Sequence, residues 1–166
     1  MSDLFWWLQH FKHSAFRLET RPVYTVPQEV ELLERFRNGE EVSLGPDHPW
    51  VVRVKAATAA GKTMQRVRVI SNPLTEYERF ELSLYPYSID AGEDIRIMVG
   101  GAVDHTGFPD FWLFDDQVAI ILHYSIDGRF LEALEQADSD SFRSMRDESI
   151  RHSMRLVEYT QRTARL

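Results

Sequence analysis

The densest apolar segment of the chain spans residues 110–124 and places aromatic and aliphatic residues around a central acidic pair. Such residues favour strands, because their side chains pack well on a pleated, half-buried surface. We predict two strands, at residues 111–114 and 117–124, joined at Asp115 and Asp116, since Asp tolerates the backbone angles of a tight turn. The second strand is almost continuously apolar, which is typical of a strand covered on both faces. The hairpin is therefore predicted to lie at the centre of a sheet.

Three further segments alternate between apolar and charged positions, a period of two that predicts strands: residues 14–19, 65–71 and 94–99. In the second of these, Val67 and Val69 point to one face and Arg66 and Arg68 to the other. Residues 129–135 follow an Asp-Gly turn and fit either a strand or the start of a helix.

Helical periodicity and end signals predict helices at four places: residues 26–38, 49–60, 76–85 and 141–162. Thr25 begins a capping-box motif at the start of the first helix. Pro86 is predicted to end the third, because proline lacks the N–H that a helix interior requires. The last is predicted to be one long amphipathic C-terminal helix that directs Met154 and Val157 towards the core.

The order of elements is strand, helix, helix, strand, helix, strand, hairpin and helix. It predicts one α/β (α+β) domain over residues 1–166, with a mixed central sheet and helices packed on it. Residues 1–12 form a separate aromatic segment, predicted to be one or two helical turns. This segment either docks on the core or meets a partner, since Trp6 and Trp7 are of a type enriched at interface hot spots.

Composition narrows the classes of function. A chain of 166 residues suits one domain with a sizeable core. The absence of cysteine excludes disulfides, thiolate metal sites and a thiol nucleophile, and fits a reducing cytoplasm. A net charge of -7 argues against direct nucleic-acid or anionic-membrane binding. No apolar run approaches the ~18 residues that span a bilayer, and no signal peptide is evident, so we expect a cytoplasmic protein.

Two short motifs resemble catalytic signatures but fail on their details. Residues 61–63 resemble the end of a phosphate-binding loop, but Ala56 stands where a glycine is required, and a helix precedes the motif where a strand should. Residues 10–12 resemble part of the phospholipase D signature, but Arg17 replaces its acid and there is no second copy. Some regulator sensor domains resemble the phospholipase D fold without its catalytic residues, so that likeness bears on the fold alone.

Histidines and carboxylates support one acid–base hypothesis. The six histidines show no H-x-x-x-H spacing, and no serine lies in a Gly-x-Ser-x-Gly elbow. His105, Asp110, Asp115 and His123 are candidates for a composite metal site, but turn acids and a strand-end histidine explain them more simply, so neither a metal nor a cofactor is expected. If the protein is an enzyme, Asp110, Asp115 and His123 are its candidate catalytic residues.

Charged and aromatic residues on the predicted strands and third helix support a ligand-binding hypothesis. The candidates are Arg17, Glu19, Arg66, Arg68, Tyr77, Arg79 and Trp112. Arginine presents a bidentate fork suited to carboxylate or phosphate, and aromatic walls are typical of pockets. The alternative is an ion-paired face exposed to solvent. A deep pocket holding a carboxylate of strongly shifted pKa would favour an enzyme, whereas a flat ion-paired face would favour a binding module.

Five motifs together resemble an actinobacterial family of domains of unknown function: HSAFRLE at residues 13–19, RVRVISNP at 66–73, YERFEL at 77–82, AGED at 91–94 and DFWLFDD at 110–116. Genes of that family usually lie beside those of helix-turn-helix regulators. The resemblance names no catalytic residue and implies a role beside a regulator. Our first hypothesis is a non-enzymatic regulatory module that binds a ligand or a protein partner, including a regulator or a second copy in a homodimer. The alternative is a small enzyme of specialised metabolism that uses Asp/His acid–base chemistry.

Overall fold

A mixed sheet forms the frame of the molecule. The computed structural model describes residues 3–101 and 107–165, and within these ranges the sheet has seven strands: β1 (Ser14–Glu19), β2 (Thr63–Ile70), β3 (Asp94–Val99), β4 (Phe111–Phe114), β5 (Val118–Tyr124), β6 (Phe130–Gln136) and β7 (Met154–Arg155). Their order is β6-β5-β4-β1-β2-β3-β7. Strands β1, β2 and β3 run parallel, and the other neighbours pair antiparallel. The predicted mixed sheet is confirmed.

The described helices are α1 (Leu4–His10), α2 (Val30–Arg37), α3 (Pro49–Ala59), α4 (Glu76–Ala91), α5 (Asp140–Arg151) and α6 (Leu156–Thr163). A 3-10 turn at Pro27–Glu29 precedes α2. Helices α2 and α3 connect β1 to β2, and α4 connects β2 to β3, as parallel pairing requires. The predicted α+β class is thus confirmed. None of these helices combines the length and the apolar character needed to cross a bilayer.

The two faces of the sheet carry different helices. On one face, Phe142 of α5 meets Phe111 of β4 with ring centroids 5.0 Å apart. On the opposite face, Val54 of α3 and Trp7 of α1 share a core with Phe114. Helices α2 and α4 lie on the same side as α3 and form an adjoining cluster around Phe80. The charged residues of β1 and β2 therefore point to the face that carries α1 to α4.

The hairpin of β4 and β5 forms as predicted. Asp115 and Asp116 adopt φ angles of 52° and 57°, the left-handed region that Asp tolerates better than most residues. All four residues of β4 are buried. Strand β1, however, occupies the central position of the sheet, and β4 lies beside it. Residues 129–135 largely coincide with β6, which resolves the choice between strand and helix.

The aromatic N-terminal segment docks on the body through one of its two tryptophans. Trp7 stacks on Phe114 with ring centroids 5.9 Å apart. Trp6 is 46 % exposed and stacks on His10 of the same helix at 4.4 Å. Trp7 therefore contributes to the core, whereas Trp6 leaves an aromatic surface open to solvent.

The capping-box prediction at Thr25 is wrong. The Thr25 hydroxyl donates to the carbonyl oxygen of Asp127 at 2.7 Å, and its backbone N–H donates to that of Gly128 at 2.9 Å. This threonine ties the loop before α2 to the turn before β6, so its side chain is not free to cap a helix. The capping box of the fold is at Thr75 and Glu78, at the start of α4.

Pro86 does not end α4, contrary to the prediction. The helix continues to Ala91 and ends at Gly92, which has a φ of 120°. Ser88 and Ala91, both beyond the proline, are buried. Packing of this last turn thus outweighs the hydrogen bond that the proline cannot donate. Gly92 is also required sterically, since a Cβ there would collide with the side chain of Thr58.

The C-terminal region is helical, but it is two helices rather than one. Between α5 and α6, Met154 and Arg155 pair antiparallel with Ile97 and Arg96 of β3. An edge strand leaves backbone groups unpaired, and this short strand covers part of that edge. The interruption changes the helical phase, so Val157, predicted to face the core, is 53 % exposed.

Candidate functional site

A cavity of about 980 Å³ opens on the face of the sheet that carries α1 to α4. Its aromatic wall is formed by Tyr24, Tyr77, Trp112, Tyr124 and Phe130. Its charged lining groups are Asp3, Arg17, Glu19, Glu29, Arg66, Glu81 and Glu132. The volume lies at the upper end of the range typical of small-molecule sites, about 300–1,000 Å³.

Strand register brings the charged floor of the cavity together. Arg17 of β1 lies beside Arg66 of β2 and opposite Trp112 of β4, and Glu19 lies beside Arg68. Neighbouring strands are only about 4.8 Å apart, and alternate residues share a face. The alternation seen in the sequence therefore becomes a compact network of guanidinium and carboxylate groups.

Arg17 and Asp110 form the first ion pair of this network. Nη2 of Arg17 lies 3.1 Å from Oδ2 of Asp110 and donates to the Tyr124 hydroxyl at 3.1 Å. Burial lowers the pKa of Arg17, but Asp110 and Tyr124 outweigh it, and the pKa is raised. Asp110 also accepts from the Thr20 backbone N–H at 3.0 Å and from the Tyr24 hydroxyl. Both carboxylate oxygens of Asp110 are thus engaged within the fold.

Arg66 lies between two carboxylates. Its Nε donates to Glu93 at 2.9 Å, and its Nη1 donates to Glu19 at 2.8 Å. The guanidinium lies over the rings of Trp50 and Tyr85, 5.4 Å and 5.5 Å from their centroids. Burial lowers the pKa of Arg66, but Glu93 and Glu19 raise it well above its ordinary value. Arg66 is therefore held in place as a permanently charged group.

Arg68 lies beneath the cavity and is fully buried. Its Nε donates to Oε2 of Glu81 at 2.7 Å, and Glu19 lies 3.7 Å from the same nitrogen. Its Nη1 donates to the carbonyl oxygens of Arg21 at 2.6 Å and Val69 at 3.0 Å. Arg68 thus acts as an internal counter-ion that fixes Glu81 in the cavity wall.

Negative charge slightly exceeds positive charge in the network. Three guanidinium groups, those of Arg17, Arg66 and Arg68, meet four carboxylates: Glu19, Glu81, Glu93 and Asp110. Burial raises the pKa of Glu81 to about 8, with Arg68 opposing and Glu19 adding to the rise. Burial opposes ionisation of Glu19 too, but Arg66, Arg17 and Arg68 together hold its pKa below the ordinary value. Glu81 therefore takes a proton more readily than Glu19.

Glu29 adds a further carboxylate at the cavity wall. It accepts a hydrogen bond from the Tyr77 hydroxyl at 2.6 Å. Burial raises the pKa of Glu29, and the hydrogen bond from Tyr77 only partly offsets that effect.

Most of the predicted ligand-binding residues meet at this cavity. Five of them line it: Arg17, Glu19, Arg66, Tyr77 and Trp112. Arg68 lies beneath the floor. Arg79 does not belong to the group, because it is exposed and donates to the Leu74 carbonyl oxygen at 2.9 Å. On α4, a step of two residues from Tyr77 turns the side chain about 200° away from the cavity.

The predicted catalytic residues do not converge. Asp110 and Asp115 flank opposite ends of β4, and His123 is exposed on β5. The Asp115 carboxylate accepts from the backbone N–H groups of residues 12–14 at 2.6–3.0 Å. Slight burial opposes ionisation of Asp115, but these hydrogen bonds outweigh it and lower its pKa, so the group holds the start of β1. His105 lies outside the described residues, and in the described ranges no three His, Asp or Glu side chains are arranged to hold a metal.

The two rejected sequence motifs have structural roles in the described chain. Gly61, with a φ of 75°, ends α3, and Lys62 Nζ donates to the Phe11 carbonyl oxygen at 2.5 Å. The His10 ring stacks on Trp6 at the surface, whereas Arg17 is buried in the network. Neither motif forms a site for phosphate chemistry.

Sequence reasoning missed the parts of the cavity that come from irregular segments and from β6. Tyr24 and Glu29 lie in the connection between β1 and α2, where no periodicity indicates which way a side chain points. Ala133 reaches the cavity because it pairs with Leu122 of β5. The nearly continuous apolar run of β5 predicts a strand covered on both faces, but it does not show which residues of the next segment pair with it.

A family model described as "Domain of unknown function (DUF6879)" matches residues 2–161. No curated protein matches the chain.

Proposed function

We propose that this chain, which belongs to the family described as a domain of unknown function (DUF6879), is a non-enzymatic module that binds a small molecule. The observation that carries the proposal is the cavity of about 980 Å³, with aromatic walls and a fixed charged floor. Concave, largely apolar sites with a few convergent polar groups are the usual sites of small ligands. Because its ion pairs are already formed, the floor is organised before a ligand arrives.

The positions of Asp110, Asp115 and His123 argue against the hypothesis that they act together in acid–base catalysis, and this favours a binding function. The two aspartates are saturated by hydrogen bonds from the fold, and the histidine is exposed outside the cavity. A general base must lie within hydrogen-bond reach of the proton it takes. These three residues do not share one substrate position.

A second candidate function rests on Glu81. This carboxylate lines the cavity, and burial raises its pKa to about 8, close to the range useful for proton transfer. In an enzyme, Glu81 would be the acid–base residue. Turnover of a bound compound that disappears in Glu81→Gln, while binding persists, would support this candidate. Binding without turnover in the wild-type protein would exclude it for that compound.

We further propose that the module serves a helix-turn-helix regulator in an actinobacterial cytoplasm. The support is the resemblance of five sequence motifs to a family encoded beside such regulators. The exposed face of Trp6, which is 46 % accessible, offers an aromatic contact for a partner. Co-purification of the protein with the regulator encoded beside it, and loss of the complex in Trp6→Ala, would support this role. A regulator that binds neither form would refute it.

A thermal-shift screen tests the binding function directly. A ligand at 100 times its Kd stabilises the folded state by about 2.7 kcal/mol, which corresponds to about 5–11 °C for a chain of this length. We expect a metabolite library to contain compounds that raise the melting temperature of the wild-type protein.

Matched variants localise the binding. Val26 lines the cavity, whereas Val23 is 43 % exposed and lies outside its lining. Val26→Trp should fill the cavity and abolish the shift, and Val23→Trp should leave it intact. A shift that survives in Val26→Trp would place the ligand elsewhere, and the absence of any shift would refute the binding function.

A further inference from the structure

The charge of the cavity wall points to the chemical class of the ligand. Five carboxylates and two guanidinium groups line the cavity. The two guanidinium groups are already neutralised: Arg17 lies 3.1 Å from Asp110, and Arg66 bonds Glu19 at 2.8 Å and Glu93 at 2.9 Å. An anionic ligand would therefore displace an internal partner or face an excess of carboxylates.

Two of the carboxylates have an oxygen left for a ligand. Glu81 is only 8 % exposed, and Arg68 bonds its Oε2. No donor in the described part of the chain reaches Oε1 of Glu81. Glu29 likewise accepts from Tyr77 through Oε2, and its Oε1 has no donor among the described residues. Neither Oε1 is fully buried, so both open to the cavity, where a ligand that brings a donor can bond them.

The raised pKa of Glu81 is consistent with this picture. Burial is its largest cause, and the neighbouring Glu19 carboxylate adds to it in spite of Arg68. Without a ligand, the network is short of one positive charge, and a proton on Glu81 supplies it. A bound cation would supply the same charge.

The aromatic wall provides the second recognition element for a cation. Tyr24 lies 5.1 Å from Tyr124 and 6.1 Å from Tyr77, between ring centroids, and both pairs meet edge to face. Aromatic faces attract ammonium groups within about 6 Å, most strongly where water is excluded. The apolar body of such a ligand would contact Leu122 and Ala133, which line the inner part of the cavity.

We propose that the cavity binds a small organic cation, a protonated amine or quaternary ammonium on an apolar body, with the charged group between Glu29 and Glu81 and against the tyrosine rings. This inference rests on the proposed binding function and specifies its ligand. The arginines in the sequence suggest an anionic ligand instead. In the fold, however, Arg17 and Arg66 are already paired with carboxylates of the protein.

Isothermal titration calorimetry at pH 8 with three probes of one shape tests the inference. The probes are 2-phenylethylamine, 2-phenylethanol and 3-phenylpropanoate, which present a cation, a neutral group and an anion on the same aromatic body. We expect the amine to bind at least about tenfold more tightly than the alcohol, and the acid to bind most weakly. A quaternary analogue, phenylethyltrimethylammonium, should also bind more tightly than the alcohol.

Three variants test the position of the charged group. Glu29→Gln and Glu81→Gln should each weaken amine binding about tenfold or more and leave the alcohol unchanged. Glu76→Gln is the matched control, because Glu76 lies on the same helix as Glu81 but pairs with Arg37 outside the cavity. Glu29 is only partly buried, so its variant keeps the test informative if Glu81→Gln fails to fold.

The outcomes separate the inference from the function on which it rests. Alcohol or acid binding as tightly as the amine would overturn the cation assignment and leave the binding function standing. Amine binding that is unchanged in both cavity variants would overturn the proposed position. If no probe binds but anionic or neutral library compounds raise the melting temperature, the inference alone fails. If nothing binds, the proposed function fails as well.

Discussion

Replacement of Arg68 by methionine is expected to lower the free energy of unfolding by about 3–5 kcal/mol at about pH 9.5. Arg68 is fully buried, and its Nε lies 2.7 Å from Oε2 of Glu81. Methionine fills a similar space without charge, so Glu81, ionised in the wild-type protein at that pH, would have to take up a proton or remain a buried carboxylate without its partner. Removing one member of a buried ion pair typically destabilises a protein by this amount.

The neighbouring contacts limit the effect to one carboxylate. Glu19 lies 3.7 Å from Arg68 but keeps Arg66 at 2.8 Å, so only Glu81 loses its main counter-ion. At about 2–4 °C per kcal/mol, the loss corresponds to a fall in melting temperature of roughly 6–20 °C. Urea denaturation followed by circular dichroism should show a lower midpoint with an unchanged m-value. A loss below about 1 kcal/mol would refute the assigned pairing.

The pH dependence provides an independent check. The pKa of Glu81 is raised in the fold from 4.5 to about 8, so its stabilising contribution is complete below pH 4.5 and is lost as pH rises through 8. Without Arg68 the carboxyl can still be buried in its protonated form. The Arg68→Met variant should therefore be destabilised less at pH 5 than at about pH 9.5, where Glu81 is ionised in the wild-type protein. An equal loss at both pH values would contradict an ionised Glu81 as its cause.

Four further substitutions test how the fold is held, each by urea denaturation. Trp7→Ala should destabilise the protein by about 2 kcal/mol because the stacking of this half-buried ring on Phe114 is lost. Trp6→Ala should destabilise it by less than about 1 kcal/mol, because that ring is 46 % exposed. Equal effects of the two substitutions would contradict the docking of α1. Asp115→Ala should cost about 1–3 kcal/mol at pH 7. The lowered pKa of Asp115 means that its contribution is present above pH 3.8 and is lost as pH falls through its folded pKa, so the difference should narrow in acid. Pro86→Ala should raise the unfolding free energy by about 1–3 kcal/mol, since Pro86 is exposed inside α4 and alanine restores a backbone donor; a loss of stability would show that the proline is required.

The part of the fold predictable from sequence is the part governed by strict alternation. In β1 and β2, burial of one face forces the other face to carry Arg17, Glu19 and Arg66 together, so these three of the seven predicted ligand-binding residues line one cavity. Arg79 does not line the cavity because it lies on a helix, where a side chain two residues after Tyr77 points to the opposite side.

The remaining errors arise where tertiary contacts override local preference. Pro86 should end a helix by its own chemistry, but burial of Ser88 and Ala91 keeps the next turn helical. Helical periodicity in the sequence continues through Met154, but in the fold Met154 pairs with Ile97 at the edge of β3 and is part of a strand. Tyr24 and Glu29 enter the cavity from an irregular connection, and their position depends on the distant turn to which Thr25 is bonded. None of these contacts has a signature in the adjacent sequence.

A double substitution tests whether the buried network is required for folding or is available for the proposed binding function. Replacing a buried ion pair by apolar residues of similar size is often neutral or stabilising, by up to about 4 kcal/mol. Arg68→Met combined with Glu81→Leu should therefore recover most or all of the stability that Arg68→Met loses alone. The same protein should distinguish an amine from its alcohol analogue less strongly, because one of the two carboxylates proposed to hold the ammonium group is gone. If the double variant is as unstable as Arg68→Met, the pair is required for folding, and its charge would then need no explanation in terms of a ligand.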